Sequence, residues 1–282
     1  MIKPGTITPV FQANKRAYES KSYRCIVNQG STRSGKTYSL CQLLIVLALQ
    51  SQKTISVVSP SLPHLKRGAR RDFLNILSDW GIYDDDHFNK TDQVYEFPDT
   101  KSFIEFFGCD DAGKVRGTSR DILFLNEANL IDYDVYKQLA IRTNETIFID
   151  LNPADLHSYC YEIADDPKNL LIHSTYKNNL SNLTPEIIAE IESLQLADEN
   201  LWRVFGLGLR GSSSETIYTH WKICDSLPGR SEHWYGQDFG YNHPSVLVKI
   251  EHYDNCLYWD QQIYETKLTT ADLIERYKAL GI

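Results

Sequence analysis

The sequence lacks the residue spacings that would indicate a structural metal site or a disulfide framework. Its six cysteines are scattered and form no CxxC pair, and its eight histidines include no HExxH motif. Neither a zinc site nor a set of disulfide bonds is therefore predicted. A reduced, cytosolic protein fits this cysteine usage.

Long apolar runs are also missing. No stretch approaches the roughly 18 consecutive apolar residues of a membrane-spanning helix. The first ten residues, MIKPGTITPV, contain no apolar run of signal-peptide length. We therefore expect a protein that is neither secreted nor inserted in a membrane.

An excess of positive charge is missing as well. The 282 residues carry 29 Lys+Arg against 37 Asp+Glu, a formal net charge of −8, which argues against a general polyanion binder. The first 120 residues nevertheless carry 17 basic and 12 acidic side chains, so a local basic patch is possible. Its densest part is Lys66, Arg67, Arg70 and Arg71, which either contact DNA phosphates or form a solvated helix face.

Hydrophobic periodicity and Gly/Pro punctuation predict an α/β fold. The predicted strands are 23–28, 54–59, 94–97, 102–107, 122–126 and 146–151, and the predicted helices are 35–50, 65–80, 133–142 and 184–205. The strands 122–126 and 146–151 are nearly continuous apolar runs, typical of parallel strands buried on both faces. We therefore expect a mainly parallel sheet covered by helices on both faces.

The pattern changes in the last quarter of the chain. Residues 206–214, GLGLRGSSS, are rich in Gly and Ser and are interpreted as a linker. Antiparallel strands are predicted beyond it at 234–238, 245–252 and 257–264. A domain boundary is therefore placed at 206–225, followed by about one third of a second domain.

A phosphate-binding loop is predicted between the first strand and the first helix. Residues 30–37 match GxxxxGK[ST] in the strand-loop-helix context that this motif requires. Backbone amides and the helix N-terminus would face the phosphates, Lys36 would reach the β and γ oxygens, and Thr37 would bind Mg²⁺. The nucleotide-binding candidates are Gly30, Ser31, Thr32, Arg33, Ser34, Gly35, Lys36 and Thr37.

Two further strand ends carry polar residues suited to nucleotide hydrolysis. Asn126 ends the strand at 122–126 and Glu127 follows it, where an Asp-Glu pair is usual. Asn126 is a further candidate of the nucleotide site, because its side chain could still hydrogen-bond a water bound to Mg²⁺. Hydrolysis would rest on Glu127, which has the charge needed to activate water. Glu127 could instead cap a helix. Asn152 follows the next strand and is either a sensor of the γ-phosphate or part of an ordinary Asn-Pro turn.

Two arginines are candidates for stabilising the charge that develops on the transferred phosphoryl group. Arg33 lies inside the phosphate-binding loop, and Arg116 precedes the strand that ends at Asn126. Either could act as an arginine finger, and Arg116 would most naturally be supplied to a neighbouring subunit. Each is otherwise a solvated surface arginine.

With these motifs placed, the chain resembles the large terminase subunit of tailed bacteriophages along essentially its whole length. The segments that carry the resemblance are GSTRSGKT with the following YSL, KVRGTSRDILFLNEAN, IDLNPAD, HSTYKNN, WRVFGLGLRGSSSETIY and GQDFGYNHPSVLV. Their order and spacing are more specific than the phosphate-binding loop alone.

The resemblance implies an α/β P-loop NTPase with a mainly parallel sheet, a strand inserted between the two Walker strands, and a catalytic Glu. The ATPase domain would span 1–205, with a lid or linker subdomain at about 170–205, and the linker 206–225. Residues 226–282 would begin an RNase H-like nuclease domain, incomplete in this chain. In the family pattern Glu127 is the catalytic base, Asn152 belongs to the coupling motif and Arg116 matches the trans-acting finger.

For the nuclease, the resemblance assigns Asp238 as the first carboxylate for Mg²⁺ or Mn²⁺. Two-metal cleavage needs several such carboxylates. Asp260 and Glu265 end a later strand and fit exposed hairpin positions at least as well. The nuclease site within this chain is therefore expected to be incomplete.

The expected function is ATP-driven packaging of double-stranded viral DNA, with metal-dependent endonuclease activity in the full family pattern. The implied partners are double-stranded DNA, a portal protein, a small terminase subunit and further copies of the chain in a ring on the procapsid, in the host cytoplasm. The alternatives are a helicase-like or recombination ATPase and a nucleotide-binding scaffold with weak hydrolysis, which Asn126 would explain. A small-molecule kinase fits less well, because such kinases usually lack a catalytic Glu directly after the Walker B position, where this chain has Glu127.

Overall fold

The structure is a computed structural model that describes residues 7–117, 119–211, 222–229 and 232–282, apart from the side chains of Ala112 and Arg116. The chain divides into two compact units, Met1–Glu215 and Thr216–Ile282. None of the described helices is long and apolar enough to cross a membrane.

An eight-stranded sheet forms the centre of the first unit. Its strands are β1 (Cys25–Gly30), β2 (Thr54–Ser59), β3 (Phe88–Asn89), β4 (Val94–Phe97), β5 (Ser102–Gly108), β6 (Arg120–Leu125), β7 (Thr143–Leu151) and β8 (Leu170–Ser174). Their order across the sheet is β3-β4-β5-β2-β6-β7-β1-β8. The pairs β3-β4 and β4-β5 are antiparallel and all the others are parallel, so the predicted mainly parallel sheet is confirmed.

Helices cover both faces of this sheet. They are α1 (Pro9–Ser20), α2 (Lys36–Gln50), α3 (Leu62–Arg67), α4 (Ala69–Asp79), α5 (Ala112–Gly117), α6 (Tyr133–Ala140), α7 (Tyr159–Asp165), α8 (Pro185–Ala197) and α9 (Glu199–Leu201). The core on one face joins α1, α2 and α4 to the sheet, and the core on the other joins α6 and α7. Burial on both faces explains the nearly continuous apolar runs in β6 and β7.

The helix α2 is buried because its sequence is apolar nearly all round. From Leu40 to Ala48 every residue except Val46 is buried, and no residue after Lys36 in the helix is charged. Such a helix is stable only inside a core. Its N-terminus is therefore held firmly at the edge of the sheet where β1 ends.

The predicted single helix 65–80 is wrong in one respect, because it is broken at Gly68. The backbone of Gly68 has φ −105° and ψ −115°, and α4 begins directly after it. The helical spacing of apolar residues continues across the break, so periodicity did not indicate it. The predicted helix 184–205 is likewise divided, into α8, α9 and a π-helical turn at Trp202–Gly206.

The order of the central strands is what positions the site. The strand β7 lies between β1, which leads into the phosphate-binding loop, and β6, which leads into Glu127. This is the inserted strand predicted above, and the topology confirms it. In the parallel register Asn28 of β1 is the partner of Asp150, and Leu125 of β6 is the partner of Ile149. The carboxyl ends of three strands therefore meet at one edge.

The first part of the predicted linker is packed against the first unit. The backbone N–H of Gly211 donates to the carbonyl of Pro153 at 2.9 Å, and Arg210 pairs with Asp165 at 2.7 Å. Residues 206–211 therefore do not behave as a free Gly/Ser spacer, because these contacts fix their path. Residues 212–221 of the predicted linker lie outside the described part of the chain.

The described part of the second unit contains a three-stranded antiparallel sheet and one helix. Its elements are β9 (His233–Asp238), β10 (Ser245–Tyr253), β11 (Cys256–Glu265) and α10 (Thr270–Leu280), with β10 in the middle. Leu247, Ile263 and Leu273 form its small core. The three predicted hairpin strands are thus present within two residues of their expected bounds, and α10 was not predicted.

Candidate nucleotide-binding site

The loop after β1 has the backbone geometry of an anion-binding turn. Arg33 and Gly35 adopt left-handed φ values of 57° and 79°, and α2 begins at Lys36 with its N-terminal amides turned toward the loop. Ser31 and Ser34 are buried, whereas Thr32 is half-buried and Arg33 is exposed. Of the described atoms, none accepts from or donates to the hydroxyl of the buried Ser34.

Residues at the end of β8 and directly after it hold this loop from the other side. The carbonyl of Ser174 accepts from the N–H of Ser31 at 3.0 Å, and the N–H of Tyr176 donates to Ser31 Oγ at 2.8 Å. The side-chain amide of Asn179 donates to the carbonyl of Arg33 at 3.0 Å. No role for these contacts was predicted from the sequence, although they lie in the segment HSTYKNN.

The P-loop lysine is buried and engaged with oxygen atoms. Lys36 is 8% exposed; its Nζ donates to the carbonyl of Ser31 at 3.2 Å and to the side-chain oxygen of Asn152. Burial lowers the pKa of the Lys36 ammonium, while the charges of Asp150 and Glu127 oppose that shift. The structure thus brings Lys36 and Asn152, both predicted site residues, into direct contact.

Asp150 at the end of β7 connects the remaining polar residues. Its carboxylate accepts from Thr37 Oγ1, from Asn126 Nδ2 at 3.1 Å and from the backbone N–H of Glu127 at 2.7 Å. These contacts join the loop, β6 and β7 through one side chain. No role for Asp150 was predicted from the sequence, because its place beside Asn126 follows only from the strand order.

The oxygen atoms assembled here suit a magnesium ion. Thr37 and Asp150 provide a hydroxyl and a carboxylate in direct contact, and Mg²⁺ is usually held by one or two carboxylates, substrate phosphates and waters rather than by a cage of protein ligands. The described residues contain no group of three or more His, Cys, Asp and Glu able to hold a metal. The donor set therefore fits the ion that the sequence motif implies.

Glu127 lies at the turn that follows β6 and has unusual backbone geometry. Its φ of 53° is in the left-handed region, which costs a residue other than glycine roughly 1–2 kcal/mol. Its N–H bond to Asp150 helps to hold that conformation. His64 of α3 lies with Nε2 3.3 Å from Glu127 Oε2, and both side chains are 41% exposed. His64 was not singled out from the sequence.

The other predicted residues lie apart from these contacts. Arg33 is exposed, and the side chain of Arg116 lies outside the described part of the chain. In the basic cluster Lys66, Arg67 and Arg71 are exposed, while Arg70 turns inward, hydrogen-bonds Gln93 and lies 5.7 Å from the centre of the Phe88 ring.

Asp238 is placed at the end of β9 in the second unit. It is exposed there and pairs across the sheet with Val246. Asp260 and Glu265 lie on β11, and Glu265 is paired with Arg276 at 3.0 Å. Within the described part of the second unit, Asp238 stays the candidate metal ligand of the predicted nuclease.

A parallel sheet with β7 inserted between β1 and β6, a GxxxxGKT loop and a Glu after β6 define a P-loop NTPase fold. A sequence model of the phage terminase large subunit matches residues 22–209. The chain therefore belongs to the phage large terminase family. Among curated protein sequences, none matches this chain.

Solved structures of large terminases share this fold. The large terminase of a thermophilic bacteriophage matches 98% of this chain and 74% of its own, with a TM-score of 0.64 and 15% sequence identity. In its complex with ATP-γ-S the same coverage is found at a TM-score of 0.61 and 16% identity. The HK97 bacteriophage large terminase matches 99% of this chain and 68% of its own, with a TM-score of 0.58 and 14% identity.

Proposed function

We propose that this chain is an ATP-hydrolysing motor subunit that packages double-stranded viral DNA into procapsids. The observation that carries the proposal is the convergence of Lys36, Thr37, Glu127 and Asn152 at the ends of β1, β6 and β7. Membership of the large terminase family, and the likeness to a terminase fold solved with ATP-γ-S, support this reading.

The phosphate-binding loop is the proposed ATP site. Gly30 to Thr37 present backbone amides at the N-terminus of α2, where the helix dipole favours anions. Lys36 is already desolvated, so phosphate oxygens would replace Asn152 and the Ser31 carbonyl as partners for its ammonium. Mg²⁺, held at Thr37, would neutralise charge between the β and γ phosphates when ATP is bound.

Glu127 is the proposed general base. It is the partly exposed carboxylate that follows β6, and the half-exposed imidazole of His64 is its neighbour at 3.3 Å. A base in this position orients and deprotonates the attacking water, an effect worth about 10²–10⁴ in rate. The adjacent Asp150 accepts three hydrogen bonds and is only 1% exposed, which leaves Glu127 as the accessible group.

Asn152 is the proposed link between the phosphates and the rest of the chain. It contacts Lys36 directly, and the next residue, Pro153, accepts a hydrogen bond from Gly211. A change in the hydrogen-bond partner of Lys36 during hydrolysis would therefore be passed through Asn152 and Pro153 to Gly211, in the segment that leads away from the first unit. Arg33 and Arg116 remain the proposed arginines for transition-state charge, Arg116 toward a neighbouring subunit.

The proposed partners are double-stranded DNA, a portal protein and a small terminase subunit, with a homo-oligomeric ring formed on the procapsid in the host cytoplasm. The exposed Lys66, Arg67 and Arg71 would contact DNA phosphates without reading sequence. Endonuclease activity, with Asp238 as one ligand of Mg²⁺ or Mn²⁺, would need further carboxylates.

Turnover and binding measured separately test the ATPase. Phosphate release with DNA and procapsids is expected to fall by about 10²–10⁴-fold in Glu127→Gln, with ATP binding retained, while Lys36→Ala loses binding as well. Asp132→Asn, at an exposed carboxylate nearby with no cap hydrogen bond, serves as the control. Tight binding without any turnover of the wild-type chain in the assembled ring would favour the scaffold, and DNA-dependent turnover without packaging would favour the helicase-like alternative.

A further inference from the structure

A chain of hydrogen bonds runs across three neighbouring strand ends and fixes the orientation of the Asn126 amide. Ser59 Oγ, at the end of β2, donates to Asn126 Oδ1 at 2.9 Å. Asn126 Nδ2 in turn donates to the Asp150 carboxylate at 3.1 and 3.3 Å. The amide oxygen of Asn126 is thus already occupied, and its N–H group points at the carboxylate.

The negative charge in this chain of contacts is on Asp150 and not on the residue after β6. Asp150 is 1% exposed, and burying a carboxylate costs several kcal/mol unless donors or a cation compensate it. Its donors are Thr37, Asn126 and the N–H of Glu127. The Thr37 hydroxyl is the group through which a P-loop usually binds Mg²⁺, so the carboxylate lies at the place where that ion is expected.

We propose that Asp150, on the strand inserted between β1 and β6, supplies the carboxylate toward Mg²⁺ that Asn126 cannot supply, and that Asn126 orients Asp150. The inference rests on the ATP site proposed above. It replaces the expectation that Asn126 itself would bind a water of the metal.

The identity of residue 126 follows from this arrangement. An Asp at position 126 would place a second carboxylate about as close to Asp150 as the 3.1 Å that separates Asn126 Nδ2 from it, and two ionised carboxylates only accept hydrogen bonds, so neither could donate to the other. An Asn keeps the shape and donates a hydrogen bond instead. Positions 126 and 150 therefore carry one carboxylate between them. An exchange of the two side chains would move this carboxylate from position 150 to position 126.

Metal binding in the nucleotide complex, measured without turnover, tests the proposal. Mn²⁺ is titrated into the full chain with bound ADP and free Mn²⁺ is followed by electron paramagnetic resonance. Asp150→Asn is expected to weaken Mn²⁺ binding by about 10–100-fold, while its affinity for ADP in EDTA stays within about twofold of the wild type. Asp132→Asn is the matched control and should bind Mn²⁺ as the wild type does. Unchanged Mn²⁺ affinity in Asp150→Asn would overturn the proposal.

A charge exchange distinguishes a metal ligand from a residue that only maintains the fold. The double variant Asn126→Asp with Asp150→Asn keeps one carboxylate in the pair and should bind Mn²⁺ more tightly than Asp150→Asn alone. Asp150→Cys should lose Mn²⁺ and gain Cd²⁺ at the nucleotide complex, because a thiolate prefers the softer ion. A double variant no better than Asp150→Asn, or a Cys variant with unchanged metal preference, would contradict a direct role.

Failure of the proposal for Asp150 and failure of the proposed motor function give different experimental results. Wild-type chain that binds Mn²⁺ and ADP but never hydrolyses ATP would refute the motor and leave the metal assignment supported. Wild-type ADP binding that does not respond to Mn²⁺ or Mg²⁺ would refute the metal assignment. Circular dichroism of each variant identifies any that fail to fold, and the charge-exchange and Cys variants then decide the question.

Discussion

Gly208 lies against the phosphate-binding loop, and its replacement by alanine offers a quantitative test of that contact. Gly208 has φ +66°, and an added Cβ would lie 2.5 Å from the Ser31 nitrogen and 2.9 Å from the Ser174 carbonyl oxygen. The three atoms nearest to this Cβ all belong to the backbone. Its own carbonyl also accepts from the buried side chain of Gln29 at 2.9 Å. The substitution therefore cannot be absorbed by a side-chain rotation.

The expected cost has two parts, and Gly81 separates them. A left-handed conformation costs alanine roughly 1–2 kcal/mol, and a forced backbone shift in a packed site adds about 1–3 kcal/mol. Gly81 has φ +69° with no described atom within 4 Å of the added Cβ, so Gly81→Ala incurs only the first part. At about 2–4 °C per kcal/mol for a unit of this size, Gly208→Ala should lower the melting temperature by about 4–20 °C and Gly81→Ala by about 2–8 °C.

Thermal unfolding and ADP binding together measure the effect. The extra displacement in Gly208→Ala falls on Ser31 and Gly30, so its ADP affinity should drop by about tenfold or more, equivalent to about 1.4 kcal/mol or more, while Gly81→Ala binds ADP as the wild type does. Equal loss of stability in both variants, with ADP affinity unchanged in both, would refute the idea that the segment around Gly208 supports the loop.

Two further predictions concern buried groups of the first unit. Arg120 is 1% exposed and donates to Ser56 Oγ at 2.7 Å and to the carbonyl of Leu139 at 3.3 Å. Because Arg120→Met removes these buried donors, it should cost about 1–3 kcal/mol in denaturant unfolding, against less than about 1 kcal/mol for Lys15→Met at an exposed pair. Equal costs would contradict a structural role for the buried guanidinium. Burial raises the pKa of Cys25 to about 12 and of Cys160 to about 11, so both stay as unreactive thiols from neutral pH up to about pH 9. Mass spectrometry after alkylation at pH 8 should find the exposed Cys224 and Cys256 labelled first, and early labelling of Cys25 in folded protein would show that the sheet opens.

Much of the fold was predictable because its signals are local. An apolar run of five or six residues between turns indicates a buried strand, and the glycines of the loop after β1 indicate a tight turn wherever they occur. The first helix was missed although its signal was present: Thr8 and Pro9 stand at its start as Thr184 and Pro185 do at the start of α8, and Thr8 Oγ1 accepts from the N–H of Phe11. The break at Gly68 gave no such signal, since a single glycine is tolerated within many helices.

The candidate site was predictable only in the parts that lie on one segment. Lys36, Thr37 and Glu127 follow from motifs that are contiguous in sequence. The contacts of Asp150 with Asn126 and of Gly208 with Ser31 depend instead on strand order and on a return of the chain after β8. No periodicity in one sequence encodes those distances, because they arise from packing between segments far apart in the chain.

Asn126, where an Asp is usual, shows that a motif residue has to be compared with its neighbours on adjacent strands as well as with those along its own strand. Read along β6, an Asn in place of Asp removes a charge and suggests weak hydrolysis. Across the sheet, however, a buried carboxylate lies at 3.1 Å on β7 and needs a donor beside it. A second acid at position 126 would offer this carboxylate another acceptor where it needs a donor. An amide at 126 and an acid at 150 therefore form a mutually consistent pair, and the substitution of either one alone is expected to be worse than the exchange of both.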